Sequence, residues 1–384
     1  MKWPAKHAAR RRGRREPMLG VVVPAYGVEH WLPEALDSLL SSSHRALDVV
    51  VVDDGSPDAS GEIAEEYAAR DDRVRVVHTD NGGLGAARNV GTALVRGDYL
   101  AFLDSDDVVP AAAYATLVGE LERSGSDFAT GSILRWEAPP PAGAGLHEPP
   151  WMHRLHRPAR EGITAREHPE ILGDVFAWNK VFRRSFWDGA GLAWPEGVRY
   201  EDQPTTTRAY LAGRFDVLPA VVYHWRIRTD GTSITQQRSS LQDLADRWET
   251  KRLSLAAVRE YDDPSVSAVF LDRVLAGDLH RYFTGIPGCD DAWWELLVAG
   301  VLELWGERSL VHSGLPPVHR LVGWLVEQDR RSDAAAVMAW FARLDGPAPQ
   351  EERDGVRLLG VPLEVLDPTG VDPDALAIRA HERA

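Results

Sequence analysis

The stretch Tyr99-Leu-Ala-Phe-Leu-Asp-Ser-Asp-Asp107 is a nearly unbroken apolar run that ends in three carboxylates. Buried parallel strands have such continuous apolar runs, and open α/β sheets bind ligands just beyond the carboxyl ends of their strands. Because neighbouring carboxylates repel one another, this cluster favours a bound cation. Oxygen ligands that leave room for water and phosphate suit Mg²⁺ or Mn²⁺ holding a nucleoside diphosphate. The alternative is an acidic turn that caps the next helix, with Asp107 and Pro110 as start signals.

The residues before this stretch alternate between strand and helix patterns. Apolar runs predict strands at residues 19–23, 47–52, 74–78 and 99–103, and apolar spacing predicts helices at residues 31–40, 59–69 and 85–94. Strands separated by helices of this length imply right-handed crossovers between parallel neighbours. The sequence therefore predicts an α/β fold with a doubly wound, mostly parallel sheet.

The second half of the chain has a different character. Helical periodicity with charged opposite faces covers residues 241–261, 265–283, 292–305 and 318–344, and a short strand pair is predicted near residues 356–365. We divide the chain into a basic disordered tail (1–17), an α/β domain (18–238) and a mainly helical domain (239–384). Packing on the α/β domain is the first explanation for the apolar helix faces, and a homo-oligomer formed through these helices stays open.

Composition limits the partners and the compartment. The formal charge of −15 argues against a general affinity for nucleic acid. The N-terminal basic tail runs against that balance, so a peripheral association with the inner face of a membrane stays open. The single cysteine, Cys289, excludes an internal disulfide and suits a reducing cytoplasm. No apolar run approaches the roughly 20 residues of a membrane-spanning helix.

Polar, glycine-rich segments follow the other predicted strands. Pro24-Ala-Tyr26 follows the first, Asp53-Asp-Gly-Ser56 the second and Asn81-Gly-Gly-Leu-Gly-Ala-Ala-Arg-Asn89 the third. Glycines allow a backbone to lie close to a ligand, and the helix after them offers free N–H groups to negative charge. The four segments are expected to meet at one edge of the sheet.

These segments resemble the catalytic domain of inverting family-2 glycosyltransferases, which have the GT-A fold. The likeness covers about residues 18–237 and is strongest to members that act on teichoic acids or polysaccharides. It implies a UDP-sugar donor, an acceptor hydroxyl on a glycan or polyol-phosphate polymer, inversion, and Mg²⁺ or Mn²⁺ as cofactor. The matching motifs are Val23-Pro-Ala-Tyr26, Val52-Asp-Asp-Gly-Ser56, Gly85-Ala-Ala-Arg-Asn89, Leu103-Asp-Ser-Asp-Asp107, Trp178-Asn-Lys-Val-Phe-Arg183, Glu201-Asp202, and Trp225-Arg226 with Arg228 and Thr232-Ser-Ile234.

The resemblance assigns roles to particular residues at the nucleotide. Asp54 is expected to accept a hydrogen bond from N3–H of uracil while Tyr26 packs on the base. Asp106 is expected to be the direct metal ligand, and Asp104 to reach the ribose or a metal-bound water. The residues placed at the nucleotide are Pro24, Tyr26, Asp54, Arg88, Asp104 and Ser105.

Asp202 is the candidate general base. An inverting transfer needs one carboxylate to take the proton of the acceptor hydroxyl as this attacks the sugar opposite the diphosphate. The transition state is oxocarbenium-like, so electrostatic placement matters more than covalent capture. The alternative is that Glu201 and Asp202 begin a helix and stabilise its dipole, and both roles are compatible.

Arg226 and Arg228, followed by Ser233, resemble the family's loop that closes over the diphosphate, where arginine matches phosphate geometry. His224 is either a third metal ligand or a packed histidine at a strand end. Lys180 is either beside the donor or acceptor or part of a structural ion pair. Together with Asp107 and Glu201, Lys180 and His224 complete the candidate residues for donor or acceptor contact.

Two other functions are compatible with this type of sheet. A sugar nucleotidyltransferase also uses carboxylate-bound Mg²⁺, but it normally needs a glycine- and lysine-rich phosphate loop after the first strand, which residues 24–27 do not supply. A catalytically inactive glycan-binding module is the other alternative. The intact Asp104, Asp106 and Asp202 argue against it.

Overall fold

The structure is a computed structural model. It describes residues 16–137, 145–228, 240–306, 308–353 and 355–382. Residues 1–15 of the basic tail and the predicted diphosphate-loop residues 231–234, including Ser233, lie outside this range.

A large mixed sheet forms the centre of the described molecule. In the described residues it has nine strands in the order β3-β2-β1-β4-β8-β5-β9-β7, with β6 paired to β5. A separate hairpin is made by β10 and β11. The strands are β1 (Leu19–Ala25), β2 (Leu47–Asp53), β3 (Val74–His78), β4 (Tyr99–Phe102), β5 (Phe128–Glu137), β6 (Leu146–His147), β7 (Arg160–Ile163), β8 (Lys180–Arg183), β9 (Phe215–Ile227), β10 (Gln350–Arg353) and β11 (Val356–Leu359).

The strands predicted from apolar runs form the parallel half of the sheet. β1 pairs in parallel with β2 and β4, and β2 pairs in parallel with β3. β8 then lies antiparallel between β4 and β5. The doubly wound, mostly parallel sheet is therefore confirmed, and the carboxyl ends of β1 to β4 lie at one edge.

Helices cover the sheet and form most of the chain after Ser240. In chain order they are α1 (Leu32–Leu40), α2 (Ser60–Arg70), α3 (Leu84–Leu94), α4 (Ala113–Ser124), α5 (Pro150–His156), α6 (Arg184–Gly189), α7 (Asp202–Ala212), α8 (Leu241–Tyr261), α9 (Pro264–Val269), α10 (Leu279–Phe283), α11 (Asp291–Trp305), α12 (Pro317–Glu327), α13 (Arg331–Phe341) and α14 (Pro373–Leu376).

Three C-terminal predictions differ from the structure in their bounds. The helix expected over residues 265–283 is divided into α9, a π-helical turn at Phe270–Leu275 and α10. The helix expected over 318–344 is two helices, because Asp329 adopts a left-handed backbone with φ of 52° between α12 and α13. The strand pair lies earlier than residues 356–365, since its turn includes Gly355 at φ of 76°.

Alternate residues of the central strands enter two hydrophobic clusters, one on each face of the sheet. Val21 and Val23 belong to one cluster, whereas Val22 and Phe102 belong to the other. The second cluster continues without a break into the C-terminal helices, where it includes Trp248. Within the described ranges, no helix is both long and apolar enough to pass through a bilayer.

Candidate active site

The edge formed by the ends of β1, β2 and β4 collects most of the candidate residues. Ala25 and Asp53 are paired at the ends of β1 and β2, and the Asp54 backbone N–H donates to the Ala25 carbonyl oxygen at 2.9 Å. Pro24 is buried in this edge, whereas 51% of Tyr26 is exposed. A half-exposed ring beside a strand end is available to stack on a flat ligand.

Asp54 braces the glycine turn that precedes α3. Its two carboxylate oxygens accept the backbone N–H groups of Gly82 at 2.8 Å and Gly83 at 2.9 Å. Gly83 has φ of 85°, a conformation that side chains disfavour. Asp53 caps its own turn by accepting the Ser56 N–H at 3.1 Å. The expected uracil contact of Asp54 stays a prediction, and it would use lone pairs beyond those that hold this turn.

Arg88 joins the tip of β4 to the start of α7. It is buried, and its guanidinium donates to Asp104 Oδ1 at 2.7 Å and to the Glu201 carboxylate. Burial lowers the pKa of Arg88, but the carboxylates of Asp104 and Glu201 outweigh burial and raise it. In the described contacts Arg88 therefore binds protein carboxylates, and its expected contact with the nucleotide stays a prediction.

Glu201 and Asp202 lie where α7 begins. Asp202 is the first residue of the helix and is half-buried, whereas Glu201 is fully buried. Burial raises the pKa of Asp202, against the opposing charges of Arg88 and Arg247. A raised pKa makes a carboxylate a stronger base, which favours transfer of the acceptor's proton to it. Asp202 therefore begins the helix, and its role as general base stays a prediction.

Of the three carboxylates after β4, Asp107 is buried and bonded within the protein, whereas Asp104 and Asp106 are partly exposed. Asp106 Oδ2 pairs with Arg228 Nε at 2.7 Å. Asp107 is 2% exposed; it accepts the Tyr223 hydroxyl at 2.8 Å and the Arg226 backbone N–H at 2.6 Å. Burial, with Asp106 and Asp104 nearby, raises the pKa of Asp107 well above its usual value. The cluster of three expected from the sequence is corrected to two outer carboxylates and one that is internally bonded.

The two outer carboxylates fit a magnesium or manganese ion. In the part of the chain that the structure describes, no three His, Cys, Asp or Glu side chains are grouped to hold a metal. Mg²⁺ is nonetheless usually bound by one or two carboxylates together with substrate phosphates and water. Asp104 and Asp106 supply that donor set, while buried Ser105 lies between them in the chain.

Arg226 lies on strand β9, and its side chain is bound by other residues of the protein. Its guanidinium donates to Glu34 Oε2 at 2.5 Å and to the Asp106 carbonyl at 2.8 Å. The guanidinium carbon also lies 4.7 Å from the centre of the Trp31 ring and 4.2 Å from that of Trp136. A contact from Arg226 to the diphosphate stays a prediction.

Lys180 forms the structural ion pair that was one of its two interpretations. The side chain is fully buried, and Nζ lies 3.0 Å from Asp174 Oδ2 and donates to the Phe176 carbonyl at 2.7 Å. Burial alone raises the pKa of Asp174, but Lys180 and His156 hold it below its usual value. Sequence reasoning missed Asp174, and only its position six residues before Lys180 could have indicated it.

His224 is a partly buried histidine on β9. Its backbone N–H donates to the Val108 carbonyl at 2.9 Å, and burial lowers the pKa of its imidazole. These contacts are those of a packed strand-end histidine, and a role of His224 as a metal ligand stays a prediction. Its neighbour Tyr223, which sequence reasoning missed, donates its hydroxyl to Asp107 and accepts the Asp104 backbone N–H at 3.2 Å.

Comparison with known proteins agrees with this architecture. Residues 20–189 match the family model described as glycosyl transferase family 2. The uncharacterized glycosyltransferase EpsJ of Bacillus subtilis is 34% identical over 249 residues, which are 61% of this chain and 69% of EpsJ. The poly(ribitol-phosphate) beta-N-acetylglucosaminyltransferase TarS of Staphylococcus aureus is 27% identical over 269 residues, which are 69% of this chain and 44% of TarS.

The fold is also that of a solved transferase. The crystal structure of S. aureus TarS 1-349 in complex with UDP-GlcNAc superimposes with a TM-score of 0.68 at 20% identity, covering 89% of this chain and 96% of that one. The fold and the strand-end site define a GT-A enzyme that transfers sugars. The chain belongs to the family-2 glycosyltransferases.

Proposed function

We propose that this glycosyltransferase moves a sugar from a UDP-sugar donor to a hydroxyl acceptor with inversion and with a divalent metal ion. The observation that carries the proposal is the group joined by Arg88. This group brings Asp104 at the tip of β4 and Glu201, next to Asp202 on α7, to one edge of the sheet. A donor-side carboxylate and a candidate base are the two charges that a metal-assisted inverting transfer requires.

The relatives support the nature of the donor. TarS was crystallised with UDP-GlcNAc and with UDP. In this chain, the half-exposed Tyr26 and the turn held by Asp54 lie at the carboxyl edge of the parallel strands, where nucleotides bind in open α/β folds. We infer that the base of UDP packs on Tyr26 and that its diphosphate extends toward the tip of β4.

The metal ion would be held by Asp106 and Asp104. When bound, such an ion neutralises the charge that develops on the departing diphosphate. In the structure Asp106 is paired with Arg228 at 2.7 Å. A cationic side chain therefore already lies beside the carboxylate that would hold the metal ion. Asp202 then removes the proton from the acceptor hydroxyl, and Arg88 keeps Asp104 and Glu201 fixed during the transfer.

The remaining expectations are part of this proposal. We propose that residues 18–238 carry the transferase and that residues 239–384 support it. A glycan or polyol-phosphate polymer is the proposed acceptor, as poly(ribitol-phosphate) is for TarS according to its name. A cytoplasmic location, peripheral to the inner face of the membrane, stays a prediction.

Product analysis tests the proposal directly. The protein is incubated with Mn²⁺ and a panel of UDP-sugars, with and without candidate acceptors, and the released nucleotide is quantified while mass spectrometry detects the glycosylated product. We expect acceptor-dependent UDP release with one donor. Pyrophosphate release would instead identify a nucleotidyltransferase, and UDP-sugar binding without product would identify an inactive module.

A further inference from the structure

Tyr200, the residue before the Glu201–Asp202 pair, has a strained backbone. Its φ is 65°, in the left-handed region that residues with side chains rarely adopt. Such a conformation persists only when the surrounding structure imposes it, and it occurs often at functional sites. Because Glu201 and Asp202 follow at once, the direction in which the chain leaves Tyr200 fixes the start of α7.

Helix α8 supplies two of the contacts that hold Tyr200, which also shares a side-chain hydrogen bond with Tyr282 of α10. The Tyr200 hydroxyl donates to Asp243 Oδ1 at 2.9 Å, and Arg199 Nη1 donates to the same oxygen at 3.2 Å. Asp243 is fully buried. The guanidinium of Arg247, one turn further along α8, lies 4.7 Å from the centre of the Tyr200 ring. Two residues on one face of α8 thus fix the hydroxyl and the ring.

The contacting face of α8 is itself anchored in the C-terminal region. Arg247 Nε donates to Asp278 Oδ2 at 2.6 Å, and Lys251 Nζ donates to Asp278 Oδ1 at 2.6 Å. Lys251 is fully buried. A buried ionic group whose members are all paired is geometrically rigid. Arg247 therefore presents a fixed surface to Tyr200.

We propose that Tyr200 is a positioning residue for sugar transfer: α8 holds it in the left-handed conformation, and this contact places Asp202 to take the proton of the acceptor hydroxyl as that hydroxyl attacks the sugar. The proposal rests on the proposed function, because Asp202 is taken as the base. It assigns a catalytic purpose to the C-terminal helices, which lie beyond the segment matched by the family model.

Two substitutions of Tyr200 separate backbone strain from the contacts with α8. Glycine accepts a positive φ without strain, so Tyr200→Gly relieves the strain and removes both contacts to α8. Tyr200→Phe keeps the ring beside Arg247 and removes only the hydroxyl. Arg252→Gln is the matched control, since Arg252 lies on the same helix in a partly exposed pair with Glu303.

The readouts are kcat, donor KM and the Kd of UDP. Calorimetry gives the fraction of protein that binds UDP, and kcat is calculated per UDP-binding molecule. We expect kcat to fall about 100-fold in Tyr200→Gly, as for a misplaced reacting group, and about tenfold in Tyr200→Phe. Donor KM and UDP affinity should stay within about twofold in both. Asp243→Asn should lower kcat as much as Tyr200→Phe does. The double variant that combines Asp243→Asn with Tyr200→Phe should have a kcat no lower than either single variant.

A value of kcat within twofold of wild type in Tyr200→Gly overturns this positioning role. If that variant does not fold, Tyr200→Phe decides in the same way, because the loss of one hydroxyl leaves the packing intact. Loss of UDP affinity parallel to kcat would show a structural role only. Wild-type kcat in Asp202→Asn would instead overturn the proposed base, whereas the absence of acceptor-dependent UDP release by the wild-type protein would overturn the proposed function.

Discussion

Arg88 shows how one buried cation can organise a site that is rich in carboxylates. Asp104 and Glu201 come from separate elements and would repel each other if Arg88 did not lie between them. Removing one member of a buried ionic group usually costs about 3–5 kcal/mol, because the remaining charges are left unpaired. The geometry of the candidate site and the stability of the fold therefore depend on the same side chain.

The first residue-scale prediction concerns the candidate base. Asp202→Asn keeps the size of the side chain but removes its capacity to accept a proton. We expect kcat to fall about 10²- to 10⁴-fold, while the Kd of UDP measured by calorimetry stays near the wild-type value. Asp188→Asn, at an exposed ion pair on α6, is the control. Equal loss of UDP binding and turnover in Asp202→Asn would contradict a role restricted to the proton transfer.

The second residue-scale prediction concerns the proposed metal ligand. Chelation with EDTA should abolish UDP release by the wild-type protein, and added Mn²⁺ should restore it. In Asp106→Asn we expect turnover at least about 100-fold lower, with no recovery as Mn²⁺ is raised. The dependence of the initial rate on Mn²⁺ concentration measures both effects. Full activity of the wild type in EDTA would remove the metal from the proposal.

At the scale of elements, the sequence predicted the strands of the parallel half best. β1, β2 and β4 are covered on both faces, so each is a run of apolar residues. Such a run can be identified from the local sequence alone, without knowledge of the neighbouring strands. β9 is less regular than these strands, because its ladder with β5 contains register shifts near Gly131 and Ser132. Helix breaks such as Asp329 depend on a single backbone conformation, which periodicity does not reveal.

The candidate site was predicted in its members and only partly in its contacts. Strand order brought Asp104 and Asp106 to the expected edge, since the carboxyl ends of parallel strands meet there. The internal bonding of Asp107 depends on Tyr223 from β9, more than one hundred residues later in the chain. Pairing of such distant residues is a tertiary property, so no local pattern could have indicated it.

The link between β2 and β3 gives a prediction of pH dependence. Hydrogen bonds to Asp53 at 2.8 Å and Glu65 at 3.0 Å raise the pKa of His78. A pKa raised in the folded state stabilises the protein below the unfolded value of about 6.5, and the effect is lost as the pH rises through the folded value. The Tm difference between wild type and His78→Gln should therefore be largest near pH 6 and smallest near pH 9. A difference that grows with pH would contradict this.

At the scale of the whole molecule, one hydrophobic cluster joins the sheet to the C-terminal helices. It contains Val22 and Phe102 from the sheet and Trp248 from α8. Trp248 packs against Gly300 of α11 so closely that a Cβ at residue 300 would lie 2.2 Å from the indole ring. The helices behind the sheet therefore belong to the same packed interior as the strands that form the site.

This continuity predicts that the sheet and the C-terminal helices unfold together. Trp248→Ala should lower the free energy of unfolding by about 3–5 kcal/mol, because it leaves a cavity in the shared cluster. Urea unfolding followed by far-ultraviolet circular dichroism and by loss of UDP binding should give coincident transitions in wild type and variant alike. Leu302→Ala, which removes an exposed side chain of α11, should change stability by less than about 0.5 kcal/mol. If UDP binding survives the loss of helical signal, the α/β part is stable without the helices, and α8 would support Asp202 without being required for the fold.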